Sequence, residues 1–178
     1  DETRPGKACR ESVADWVRDR DAESLPNVIF VDADAYFSSY EMIQMAKFVM
    51  IYNSTIGMEA AIMGKPVLCA GKARFTQLDT VYFPKARHKY LAMLQDFLTT
   101  ESVPVLPEHR INARRFLYFQ LFRTSLPFDR FLDVDEIWPG FVKLRDFEPQ
   151  ALLPQNSTTM KVISEGLLLG KEFLLPED

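Results

Sequence analysis

The apolar positions of this chain alternate between two spacings. Across residues 10–20, Val13, Trp16 and Val17 recur three and four residues apart behind Glu11 and Ser12, which predicts a short amphipathic helix. After the break at Pro26-Asn27, the run Val28-Ile29-Phe30-Val31 is continuously apolar and predicts a buried parallel strand. Asp32-Ala33-Asp34-Ala35 follows as a loop. Ser38 or Ser39 then caps a predicted helix over 40–46, and Glu41, three residues after Ser38, completes a capping box. Residues 47–52 predict a strand and 55–63 a helix, with Gly64 at its left-handed end and residues 67–70 as the next strand.

Helix and strand alternate here with short connections. That order predicts an α/β fold: a Rossmann-like parallel sheet with helices on both faces. Right-handed crossovers would bring the loops 32–38, 53–57 and 71–75 to one sheet edge. Residues 71–84 look irregular, anchored by Phe75, Val81, Tyr82 and Phe83. A helix is predicted over 89–98, a proline-broken link over 102–107, and the strongest helix of the chain over 108–124. Ile111, Phe116, Phe119 and Phe122 are packing candidates of that helix, and Pro127 lies beyond it. Residues 128–151 are poorly periodic, with a turn at Trp138-Pro139-Gly140. Ser157 or Thr158 caps a last helix to about Leu169, followed by Gly170. The predicted organisation is a nucleotide-binding domain over 1–107 and a C-terminal helical extension over 108–178.

Composition narrows the function. With 178 residues, 47% hydrophobic and 26% charged, the chain can bury a core of ordinary size. The formal net charge of −4 and the lack of a dominant Lys/Arg run disfavour general nucleic-acid binding. The cluster His109, Arg110, Arg114, Arg115 and Arg123 reads either as a solvated helix face or as a surface for lipid phosphate or acceptor-sugar anions. Cys69 sits in an apolar strand and reads as a small hydrophobe; with Cys9 it makes neither a disulfide framework nor a metal cluster. No apolar run reaches membrane-spanning length, and no signal peptide is evident, so a cytoplasmic setting is the default, with peripheral association at the inner membrane face left open. The chain opens on Asp1-Glu2-Thr3 without a methionine and reads as a domain truncated at its N-terminus.

The candidate chemistry lies at the predicted sheet edge. Asn53, Ser54 and Thr55 stand at a predicted helix start, where unpaired amides and short hydroxyls suit a phosphate. Gly57 allows close approach in the first turn. The alternative is plain capping by Asn53 or Ser54, with Gly57 used for packing. Glu59, on an otherwise apolar helix, needs a donor; a ribose diol would serve, as would an internal ion pair. Lys72 and Arg74 follow the next strand and either flank the same anion or face water, and Tyr82-Phe83-Pro84 is expected to border that cleft. Asp32 and Asp34 are weakly suggestive of a divalent-ion pair, but no metal site is assigned. His88 and His109 read as structural or surface residues. There is no Walker loop and no Rossmann glycine fingerprint.

The segment Asn53-Ser54-Thr55-x-Gly57-x-Glu59-Ala60-x-x-x-Gly64-Lys65-Pro66-Val67 resembles the signature of bacterial capsule and surface-polysaccharide biosynthesis proteins, and the likeness extends loosely from Val28 to Pro84. Those proteins look like GT-B glycosyltransferases, whose C-terminal domain binds the nucleotide-sugar donor. The resemblance implies a GT-B C-terminal domain fold and a nucleotide-sugar as substrate. It further implies donor phosphate at Asn53, Ser54, Thr55 and Gly57, with Lys72 and Arg74 assisting, and sugar or ribose at Glu59. A glycan or lipid-linked acceptor would meet a missing N-terminal domain, which would also carry the catalytic base. No cofactor is implied. The HP-type motif usual before this region in such enzymes is absent. The alternatives are a sugar-nucleotide epimerase-like enzyme and a non-catalytic interaction domain.

Overall fold

The computed structural model describes residues 10–32, 35–134 and 141–177, and the chain divides into two compact units, Asp1–Met45 and Ala46–Asp178. In the first unit, α1 (Val13–Asp19) starts at Ser12, whose hydroxyl accepts from the Asp15 amide at 2.9 Å. That bond satisfies one of the orphan amides of the first turn. Val17 is buried, and the Arg20 guanidinium lies 4.4 Å from the centre of the Trp16 ring. A second helix, α2 (Ser39–Met45), buries Ile43. The strand predicted at Val28–Val31 does not form: Ile29 is 89% exposed, and Val28 and Val31 also stay at the surface. A strand needs a neighbour for its amides, and no strand forms among the described residues of this unit.

The second unit is built around β1 (Val49–Ile51) and β2 (Val67–Cys69), which pair in parallel with Val49 opposite Val67 and Ile51 opposite Cys69. The crossover between them is α3 (Ile56–Ile62). All three residues of β2 are buried, as expected of a strand covered on both faces. The helix α3 ends where Gly64 was predicted to end it. Gly64 has φ of 81°, its amide donates to Ala61 at 3.0 Å, and the Lys65 amide donates back to Ala60 at 2.9 Å. That pair of bonds is a Schellman closure, which a residue with a Cβ would resist.

The expected Rossmann-like parallel sheet of the GT-B type is not there. The described strands form two separate pairs, one parallel and one antiparallel. Beyond β2 the parallel pair gains only a single rung: Tyr82 accepts from the Cys69 amide and donates to Val67, both at 2.9 Å. Two residues further on, Pro84 has no amide to offer, and the chain leaves for α4 (Arg87–Thr99). That helix and the link after it close the core, where Phe97 and Val103 pack on Leu68. Phe48 and Tyr82 meet the Phe97 ring edge-on at 5.3 and 5.1 Å.

The helix predicted over 108–124 is α-helical only as α5 (Pro107–Tyr118), and it packs on α3. Pro107 occupies the first turn, where a missing amide costs nothing. Phe119–Thr124 is wound as a π-turn, with the Ser125 and Thr124 hydroxyls both donating to the Gln120 carbonyl at 2.7 and 3.2 Å. Within the stretch predicted to be irregular, β3 (Leu132–Val134) and β4 (Val142–Leu144) pair antiparallel, Leu132 opposite Leu144. The predicted turn Trp138-Pro139-Gly140 lies outside the described residues, as do Cys9 and the chain start. Finally α6 (Thr158–Leu169) is capped by Ser157, which accepts from the Met160 amide at 3.3 Å, and stops at Gly170 with φ of 66°. Thr159 ties it down through a hydroxyl donated to Pro127 at 2.6 Å.

Candidate functional site

Because β1 and β2 run in parallel, the segments that follow them leave the sheet at the same end. The Ala70 amide donates to Ile51 at 2.9 Å and the Gly71 amide to Tyr52 at 2.6 Å. A Cβ on Gly71 would stand 3.0 Å from the Tyr52 carbonyl oxygen and 2.9 Å from its ring, so the residue is a close-approach glycine rather than a flexible one. Beneath it the Cys69 thiol lies 3.1 Å from both the Tyr52 and Gly71 carbonyls. Burial pushes that thiol above its ordinary pKa, and a hydrogen bond with the Gly71 backbone works the other way.

The loop then locks itself. Ala73 donates to the Thr76 hydroxyl at 3.1 Å, Thr76 donates back to the Ala73 carbonyl at 2.7 Å, and a 3-10 turn covers Arg74–Gln77. Buried Phe75 anchors it, and the buried Thr80 hydroxyl donates to the Phe75 carbonyl at 2.8 Å. Lys72 and Arg74 are thereby carried on a fixed backbone with exposed side chains.

These two segments meet α5 and the π-turn in a cleft of about 310 Å³. Asn53, Thr55, Lys72 and Arg74 supply its polar groups, with Gln120 from the π-turn; Phe75, Met58 and Phe116 supply its apolar ones. No carboxylate is part of the described lining. Neither Lys72 nor Arg74 forms an ion pair or hydrogen bond with a described residue. The cleft therefore presents two cations with all their donors available. It adjoins a second space of about 450 Å³ lined by Gln77, Leu78, Arg115 and Phe119, with Arg74 and Phe116 shared between the two. A cationic end thus leads into an apolar arm.

Ser54, Gly57 and Glu59 do not line this cleft. The row of unpaired amides expected at the helix start is largely consumed in the turn itself. Ile56 donates to the Ser54 hydroxyl at 3.4 Å and Gly57 to the Ser54 carbonyl at 3.1 Å; Met58 and Glu59 both donate to Thr55, at 3.0 and 3.3 Å. Gly57 faces Ile51 and Val67 of the strand pair, so its missing side chain serves packing. Glu59 is half-buried on α3, away from the cleft lining. Asp32 belongs to the first unit, and Asp34 lies outside the described residues.

The predicted basic cluster is dispersed over separate tasks. Arg110 donates to the Ile62 carbonyl at 3.0 Å and so closes the C-terminus of α3, where a cation also meets the negative end of the helix dipole. Arg115 borders the apolar arm, Arg123 holds the C-terminal tail through Leu175, and His109 is buried. Tyr82, Phe83 and Pro84 border a different cleft, of about 440 Å³, where His109 forms part of the wall. Burial lowers the His109 pKa, opposed by the charges of Asp79 and Glu108. Its place beside a cleft was missed in the sequence, although His109, Ala113 and Phe116 fall four and three residues apart and so share one face of α5. No group of three His, Cys, Asp or Glu residues among the described residues is placed to hold a metal ion. No described helix is long and apolar enough to cross a membrane. Comparison of the chain with family models, curated proteins and solved structures finds no match.

Proposed function

We propose that the cleft between Asn53, Thr55, Lys72 and Arg74 binds the phosphates of a nucleotide-sugar, and that the chain is the donor-binding portion of a glycosyltransferase in capsular or surface-polysaccharide synthesis. The observation that carries the first half is the pairing of two unengaged cations at one carboxylate-free cleft with an apolar arm beside it. Phosphate oxygens suit Lys72 and Arg74, and a base has aromatic and aliphatic surface in Phe116, Phe119 and Leu78. Gln120 lines the cleft and Glu59 does not, so the Gln120 amide is the partner assigned to a ribose hydroxyl. The transferase half rests on the sequence resemblance of residues 53–67. In that reading a glycan or lipid-linked acceptor is held by another part of a longer protein at the cytoplasmic membrane face.

Backbone NMR titration with CMP-, UDP- and GDP-linked sugars tests this reading. One of the three should shift residues 53–55, 72–75 and 116–120 saturably. Lys72→Ala and Arg74→Ala should each weaken that binding roughly ten-fold, the loss of one charge-assisted contact. Silence towards all three donors in folded protein would sink the proposal.

A second reading has its own support. Tyr118, Leu121 and Phe122 are 56%, 54% and 60% exposed, an apolar face at the end of α5 that suits a protein partner. Failure of every nucleotide to bind would move the weight to that surface.

A further inference from the structure

The His109 cleft lies outside the donor site and has chemistry of its own. His109 is 8% exposed and sits in the first turn of α5, its ring edge-on to Tyr82 at 4.8 Å with an interplanar angle of 82°. Its imidazole makes no hydrogen bond with any described residue. No buried side-chain nitrogen or oxygen among the described residues is sealed off without a partner, so the ring nitrogens open to the cleft rather than to packed protein. Polar atoms at a cleft wall are hydrated when the cleft is empty and stay free to bond a ligand that replaces that water.

The rest of the wall limits what that something is. Phe83, Pro84, Met93 and Leu106 make a mostly apolar floor. Asp79 and Glu108 put two carboxylates on the rim, against the single cation of Lys89. An anion meets net repulsion there, so this is not a second phosphate site. The Tyr82 hydroxyl is already used, donated to the Pro104 carbonyl at 2.9 Å. The groups left over are acceptors on the rim, an imidazole that can both donate and accept when neutral, and flat apolar surface. A ring with an aliphatic face and hydroxyls around its edge matches all three.

We propose that the cleft formed by His109, Asp79, Glu108 and the floor at Phe83-Pro84 binds a neutral pyranose sugar, its C–H face on the apolar floor and its hydroxyls on the imidazole and the two carboxylates. The site stands without the nucleotide reading. His109 and Phe116 are seven residues apart on one face of α5, about 10 Å along the helix, so the two clefts open at different ends of that face. A sugar here is bound independently of any donor phosphate at Lys72 and Arg74.

The test is an NMR titration of the whole chain, reading the His109 imidazole and the Phe83 ring. Methyl β-glucopyranoside, methyl β-galactopyranoside and methyl α-mannopyranoside are added separately, with cyclohexanol and methylammonium as controls. At least one glycoside should shift both reporters saturably, with a dissociation constant on the order of millimolar. Glu108→Gln, at an exposed position, should weaken that binding roughly ten-fold. His109→Gln should do the same, and Glu108→Gln decides the matter if His109→Gln does not fold. Binding of none of the three glycosides, equal response to cyclohexanol, preference for methylammonium, or indifference to Glu108→Gln would each overturn the proposal. A nucleotide that shifts residues 72–75 while no glycoside moves these reporters would leave the donor reading intact and remove this one.

Discussion

The hydroxyl of Thr80 donates to the carbonyl of Phe75 at 2.8 Å, with Thr80 wholly buried and Phe75 2% exposed. This bond fastens the far end of the loop that carries Lys72 and Arg74. The Phe75 carbonyl also accepts from the Leu78 amide at 3.2 Å, so removing the hydroxyl does not orphan it. Thr80→Val keeps the shape and deletes the donor. It should cost about 1 kcal/mol of stability, the net worth of one such bond, in urea unfolding. The amides of residues 73–76 should also exchange faster than in the parent. A variant as stable as the parent, with unchanged exchange in that loop, would show that Phe75 packing alone holds the site.

Gly57 touches the strand pair so closely that a Cβ would collide with Ile51 Cδ1 and stand 3.3 Å from Val67 Cγ1. Alanine is the better helix former by about 1 kcal/mol, and overpacking typically costs 1–3 kcal/mol, roughly. The clash should win. Gly57→Ala is expected to destabilise by about 1 kcal/mol. In an Ile51→Val background, where Cδ1 is gone, the same change should be neutral or stabilising. The double-mutant cycle in chemical denaturation reads this directly; additive effects would place the cost of alanine somewhere other than Ile51.

The parts legible in the sequence are those whose signal is local. Gly64 ends α3 because only its backbone adopts that turn freely, and Ser157 and Gly170 bracket α6 for the same kind of reason. Val67-Leu68-Cys69 reads as a strand covered on both faces, and it is one. The same apolar signal at Val28-Ile29-Phe30-Val31 misleads, because a run of four says nothing about whether a partner strand exists. Without that strand, and with Tyr82 making one rung only, a β-α alternation that looked like a sheet closes as a two-stranded pair. The β3–β4 ladder was missed for a different reason: Leu132-Asp133-Val134 and Val142-Lys143-Leu144 do alternate apolar and polar, but over three residues each, too short a run to read as a strand, and they lie largely exposed.

Of the candidate site, Lys72, Arg74, Asn53 and Thr55 do converge, since they follow parallel neighbours. The amide cradle does not survive, because a tight turn at Ser54 and Thr55 spends those donors on its own carbonyls. Phe116 and Phe119 were seen only as packing and Gln120 not at all, since their approach to Arg74 depends on where a helix some forty residues away is docked.

The C-terminal tail is held by a reciprocal pair. Arg123 Nε donates to the Leu175 carbonyl at 3.0 Å, the Leu175 amide donates to the Arg123 carbonyl at 2.8 Å, and the guanidinium also pairs with Glu177. Arg123→Lys keeps the charge but loses the forked donor geometry. It should release the tail: the Leu175 amide should lose protection from hydrogen exchange while the core amides of β2 keep theirs. Retained protection at Leu175 would assign the docking to Leu175 and Phe173 packing instead.

His109 makes stability depend on pH in one direction. Burial is the larger influence and lowers its pKa in the folded chain, while Asp79 and Glu108 oppose it. The unfolded chain therefore binds the proton more readily, and the neutral imidazole contributes stability above its unfolded pKa, near 6.5. As pH falls below that value the contribution is lost, until the folded pKa is passed and the slope vanishes. NMR titration of the imidazole should give a midpoint below 6.5, and Asp79→Asn should lower it further by removing an opposing charge. Urea unfolding of His109→Phe should lack this part of the acid dependence, with less loss of stability than the parent as pH drops through that window. An imidazole midpoint at or above the ordinary value, or equal acid sensitivity in both proteins, would mean that protonation of His109 carries no cost in the fold.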